Sequence, residues 1–153
     1  MLAARLRAVL ATLWVGSLWT IGYIVAPTLF ATLEDRSLAG TLAGRMFHIE
    51  AWVSIVCAVL LAVLVARAGS AFDARQRRHI LIVIGVMLLC TLVSHFGIQP
   101  YMAELRAAAG PGAGMTGEIQ ARFGRLHGVS SAIYMLQSVF GLVLVLKLCQ
   151  APR

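Results

Sequence analysis

Three histidines and one glutamate set the chemical question. His48, His95 and His127 stand in or at the ends of long apolar stretches, and Glu50 lies two residues from His48. Imidazole and carboxylate groups are costly in apolar surroundings unless they find a partner or a cavity. Imidazoles contributed by separate helices are also ligands for a transition metal or haem. The competing reading makes His48 and His127 interfacial residues bonded to loop carbonyls. His79 adjoins a basic turn and is read as an ordinary surface residue. Helical geometry separates the two neighbours, since two residues turn a helix by about 200°. The Glu50 face continues through Ser54 and Cys57, which are small or polar, and the His48 face through Trp52 and Ile55, which are bulky. Glu50 is therefore expected inside a bundle and His48 at its rim.

Two polar stripes extend the site. Thr91, Ser94, His95 and Gln99 form one; His127, Ser130 or Ser131, Tyr134, Ser138 and Gly141 form the other. Facing each other, they would enclose a polar pocket between helices. Without a pocket, they are interhelical hydrogen bonds, worth on average about 0.6 kcal/mol each in a membrane bundle. Cys57 and Cys90 fall inside apolar stretches and Cys149 at the end of the last, which leaves no extracytoplasmic disulfide framework. The first two are read either as a soft-metal pair or as small apolar residues. Met46, Met102 and Met115 are weak candidates for copper ligands. Phosphate loops, zinc-protease helices, CxxC pairs and serine nucleophile elbows are absent from the sequence.

The elements that must position these groups are helices in lipid. Residues 8–33, 51–66, 79–103 and 126–146 carry no Asp, Glu, Lys or Arg, and 60% of the 153 residues are hydrophobic. The mean hydropathy is +0.87. A bilayer core takes about 20 apolar helical residues to cross, which predicts an all-α four-transmembrane-helix bundle. One integral membrane domain covers 1–153, with spans at about 8–30, 47–66, 80–99 and 127–148. Pro27 is expected to kink or end the first span and Pro100 to close the third. Thr12, Gly16 and Thr20 recur every four residues, a small-residue stripe that lets another helix approach closely. Residues 110–114 (Gly-Pro-Gly-Ala-Gly) read as a loop. Ile119, Phe123 and Leu126 share a face after it, which predicts a short interfacial helix before the last span.

Net charge is +7, which in a soluble protein would suggest nucleic acid. Here the bases follow membrane topology instead, and no nucleic-acid partner is expected. Arg5, Arg7, Arg67, Arg75, Arg77, Arg78, Lys147 and Arg153 fall on one side of the four spans. Arg36, Arg45, Arg106, Arg122 and Arg125 fall on the other, with most of the acids. Arg-rich short loops stay cytoplasmic, so both termini are expected inside. The first apolar run is too long for a signal-peptide core and is read as a retained span.

The motifs Trp14-Val15-Gly16, Ala26-Pro27-Thr28-Leu29-Phe30, Arg45-Met46-Phe47-His48 and Phe123-Gly124-Arg125-Leu126-His127-Gly128-Val129-Ser130 resemble the bacterial branch of the transmembrane protein 205-like family, a domain of unknown function. The resemblance covers nearly the whole chain. It implies a four-helix protein of the bacterial inner membrane and supplies no reaction. Membrane protoporphyrinogen oxidases and the copper-resistance D family are similar in outline and use histidines within helices. The first span of this chain has no histidine, which departs from the oxidase pattern.

The preferred expectation is a non-enzymatic protein that binds or passes a small ligand or metal ion in a polar cavity near its outer face. Glu50, His95 and His127 would line the cavity, with His48 and Tyr134 peripheral. The alternatives are a haem-dependent oxidoreductase using the same histidines, and a structural subunit of a membrane complex. Its partners are then the lipid bilayer and a second copy or another membrane protein docking on the Thr12–Gly16–Thr20 face.

Overall fold

The chain, seen in a computed structural model that describes residues 2–109 and 115–149, is four long helices. They are α1 (Leu2–Thr32), α2 (Arg36–Ala66), α3 (Ala74–Ala109) and α4 (Gly117–Cys149), each long and apolar enough to cross a membrane. No strand occurs among the described residues. Residues 110–114 and Arg153 lie outside them. Each helix packs against its neighbour in sequence, and α4 returns to α1, which closes an up-and-down ring.

All four helices run past the expected spans. The local causes are readable. Asp35 accepts hydrogen bonds from the Ser37 and Leu38 N–H groups and starts α2 at Arg36, well before Phe47. Asp73 accepts from the Gln76 N–H and starts α3. Such caps satisfy donors that a helix start leaves unpaired. The helix expected before the last span runs unbroken into it as the first turns of α4.

Neither proline ends its helix. In each case the chain widens into a π-helical turn just ahead of the ring, at Thr20–Val25 in α1 and Val93–Ile98 in α3. The Ala26 N–H donates to the Ile21 carbonyl, and the Gln99 N–H to that of Ser94, each five residues back. A proline in an α-helix collides with the carbonyl four residues earlier, here Tyr23 or Phe96. Both carbonyls fall inside the widened turn, so the helix passes each ring and continues.

The apolar core fills one end of the ring. Trp14, Leu61, Val65, Ile80, Met87 and Leu144 are fully buried there, with Ala58 and Ile84 beside them. Arg7 closes this end with its guanidinium 4.9 Å from the Phe72 ring centre, a cation–π contact. Outward faces of the helices are lined by Leu, Ile, Val and Phe, as lipid requires. Thr12, Gly16 and Thr20 share that exposed face, and a Cβ at Gly16 would meet nothing within 4 Å. The stripe thus does not seat a neighbouring helix of this chain. Ala11, Trp14, Val15 and Leu18 make the α1 contacts instead, because Trp14 is the larger anchor on the opposite face.

Gly141 is the small residue the core needs. A Cβ there would sit 3.2 Å and 3.3 Å from the Val15 methyls and 3.6 Å from Met87 Cε. Gly141→Leu should therefore lower stability by about 1–3 kcal/mol through overpacking. Gly16→Leu should change it by no more than about 0.5 kcal/mol. Unfolding of both variants in mixed micelles compares them.

Candidate functional site

Three hydroxyls mark the level at which the packed core ends. Ser54 accepts from the Trp14 indole N–H at 2.7 Å and donates to Glu50 Oε1 at 2.6 Å, joining α1 to α2. Ser138 accepts from the Tyr23 hydroxyl at 2.9 Å and donates to the Tyr134 carbonyl, joining α1 to α4. Thr91 accepts from the Gln137 amide at 2.9 Å and donates to the Met87 carbonyl, joining α3 to α4. Each hydroxyl uses its one proton toward its own helix and takes a donor from another. The Tyr134 hydroxyl adds a fourth link, to the Leu18 carbonyl. Gly22 makes room for that ring, since any Cβ there would collide with it.

Beyond this level the four helices part around a cavity of about 550 Å³, within the range of small-molecule sites. Its walls are mostly apolar, with Ala26, Pro27 and Phe30 from α1, and Ala43, Phe47 and Ala51 from α2. Phe47 stands edge-on to Tyr134 with ring centres 5.4 Å apart. Polar groups interrupt the wall at separated points. Glu50 and Gln137 lie at the deep end, both buried. Ser94, His95 and Gln99 come from α3, and His127, Ser130 and Tyr134 from α4. The two π turns both reach the wall, through Gly22 and Tyr23 in α1 and Ser94 and His95 in α3. Widened turns of this kind often occur at functional sites.

Glu50, His95, His127 and Tyr134 thus share one cavity, and Tyr134 is part of its wall rather than peripheral. His48 does not line it. On α2 the buried face carries Glu50, Ser54 and Cys57, while His48 and Trp52 are exposed. The His48 and His95 rings touch each other, with centroids 4.9 Å apart, and Trp52 stands edge-on to His95 at 6.1 Å. That contact leaves no room for a metalloporphyrin between the two imidazoles. His127 stacks on Phe123, one helical turn earlier, with its ring within 7° of parallel. Among the described residues no three His, Cys, Asp or Glu side chains gather as a metal site would require. Cys57 and Cys90 are both buried and free.

The sequence reading missed Arg106, which was counted only as a topological charge. It lines the cavity near the start of α2 and holds its guanidinium 5.6 Å from the Phe123 ring centre. A Cβ at Gly44 would lie 2.9 Å from Arg106 Nη1, so that glycine gives the side chain its seat. The signal was the pairing of a helix-interior glycine with an arginine on another helix, which spacing within one helix does not reveal.

Fold and cavity together define a multi-pass membrane protein. The sequence matches the family described as Domain of unknown function (DUF4149) over residues 9–111, and the chain belongs to that family. The matched region takes in α1, α2 and α3, hence both π turns, Glu50, His95 and Arg106. Comparison with curated proteins and with solved structures finds no match.

Ser54→Ala would strand the Trp14 N–H and one Glu50 oxygen, and should cost about 1–3 kcal/mol. Combined with Trp14→Phe, which removes the stranded donor, the loss should be smaller than the sum of the single losses. Additive losses in a micelle-unfolding cycle would show that the three groups do not act as a unit.

Proposed function

We propose that this chain is a non-enzymatic protein of the bacterial inner membrane, a member of the transmembrane protein 205-like family, that binds or passes a small organic ligand in its inter-helix cavity. Both termini lie in the cytoplasm and the cavity opens near the outer face. The carrying observation is the cavity itself: about 550 Å³ of space at one end of the ring, above a closed floor of hydrogen bonds. A bundle evolved only to hold itself together would fill that space as densely as it fills the other end.

The wall supports an organic ligand over a metal ion. Its surface is largely apolar, the His48 and His95 rings pack on each other, and no three His, Cys, Asp or Glu side chains gather among the described residues. Topology is supported by the bases at the packed end, above all Arg75, Arg77 and Arg78 at the start of α3.

Native mass spectrometry of the protein released from mild detergent tests the reading. The wild-type chain should carry a bound small molecule, and Ser130→Phe, which places a ring in the cavity, should lose it while remaining folded. Identical spectra with no adduct on either protein would remove the binding reading. A Soret band on the purified protein would replace it with the haem-dependent alternative. A periplasmic reporter fused after Arg153 should be inactive; an active fusion reverses the orientation.

A further inference from the structure

We infer that the cavity takes an amphiphile with an anionic head against Arg106 and an apolar body extending toward Glu50; the inference rests on the ligand-binding reading above. Arg106 Nε is buried and has no hydrogen-bond partner among the described residues. The ion pair found among those residues, Arg122 with Glu118, lies on the surface one turn apart on α4. Arg106 therefore carries a charge into the cavity wall without a carboxylate to balance it. An uncompensated charge in such surroundings is costly, and its Nε donor is unspent among the described residues.

The seat of the side chain is built. Gly44 leaves the space that Nη1 occupies, and the Phe123 ring lies beneath the guanidinium. This holds the planar fork in place for a carboxylate or phosphate, which it can bind through two parallel N–H donors. Glu50 is six residues further along α2, about 9 Å deeper at 1.5 Å per residue. No ion pair joins it to Arg106 among the described residues. Its carboxylate accepts from Ser54 and stands at the closed end of the cavity. An anion is thus drawn to the Arg106 end, where the guanidinium lacks a carboxylate partner among the described residues. Between the two ends Ala43, Phe47 and Met102 give the wall a largely apolar surface, interrupted by Ser94, His95 and Gln99 of α3, which suits a hydrocarbon body better than a small hydrated anion.

A free single-chain acid and the headgroup of an anionic phospholipid both present this chemistry. The test places the protein in nanodiscs of neutral phosphatidylcholine and titrates dodecanoate and dodecanol by calorimetry, subtracting partition into empty discs. Dodecanoate should bind at least about tenfold tighter than dodecanol, the difference expected for one charge-assisted contact. Arg106→Gln should abolish that preference and Arg106→Lys should keep part of it. The wild-type comparison decides the matter even if Arg106→Gln fails to fold. Equal affinity for the two probes overturns the anionic assignment and leaves ligand binding intact. Binding of neither probe overturns this inference and, with an adduct-free mass spectrum, the binding reading too. Repeating the titration in discs containing phosphatidylglycerol separates the sources. Loss of dodecanoate affinity there identifies the phospholipid headgroup as occupant, and unchanged affinity identifies the free acid.

Discussion

Inside a bilayer there is no water to satisfy a polar group, so every buried hydroxyl, amide and indole must find its partner in the protein. Ser54, Ser138 and Thr91 meet that constraint in the same way. Each donates back to its own helix and accepts from a neighbour. Together they tie α1 to α2, α1 to α4 and α3 to α4 at one level. On one side of that level the bundle is a dense apolar core around Trp14, Leu61 and Met87. On the other side the helices no longer need to touch, and the cavity opens.

Backbone chemistry keeps it open. Pro27 and Pro100 would each break an ordinary helix, and each is preceded by a turn bonded to the fifth residue back. The widened turns project Tyr23 from α1 and His95 from α3 to the cavity wall. Two glycines complete the shape: Gly22 admits the Tyr134 ring and Gly44 admits the Arg106 guanidinium. Removing either would drive a side chain into the space the cavity uses. Function and fold are linked through these few positions rather than through the apolar faces that lipid would accept in many forms.

Much of this was legible in the residues. The four spans follow from charge-free length alone, and the division of α2 into a Glu50–Ser54–Cys57 face and a His48–Trp52 face follows from the helical turn. The stripes on α3 and α4 also face the same space. Other features depend on contacts between helices, which periodicity within one helix cannot report. Arg106 gains its role from Gly44 and Phe123, one on α2 and one on α4. In the sequence Pro27 reads as a kink or an end and Pro100 as a terminator, because a π turn leaves no composition signal. Thr12, Gly16 and Thr20 looked like a packing stripe because the pattern is local, yet Trp14 on the opposite face decided which side of α1 is buried.

The polar groups of this membrane bundle surround one accessible space bounded by α2 on one side. Accessibility along α2 tests it directly. Single cysteines introduced at Gly44, Phe47 and Ala51, which line the cavity, and at Ile49, Trp52 and Val56, which face outward, would be reacted with a membrane-impermeant thiosulfonate. The background would lack Cys57, Cys90 and Cys149. Modification is expected at 44, 47 and 51 from one side of the membrane, and protection at 49, 52 and 56. Uniform protection, or reaction at the outward positions alone, would contradict it.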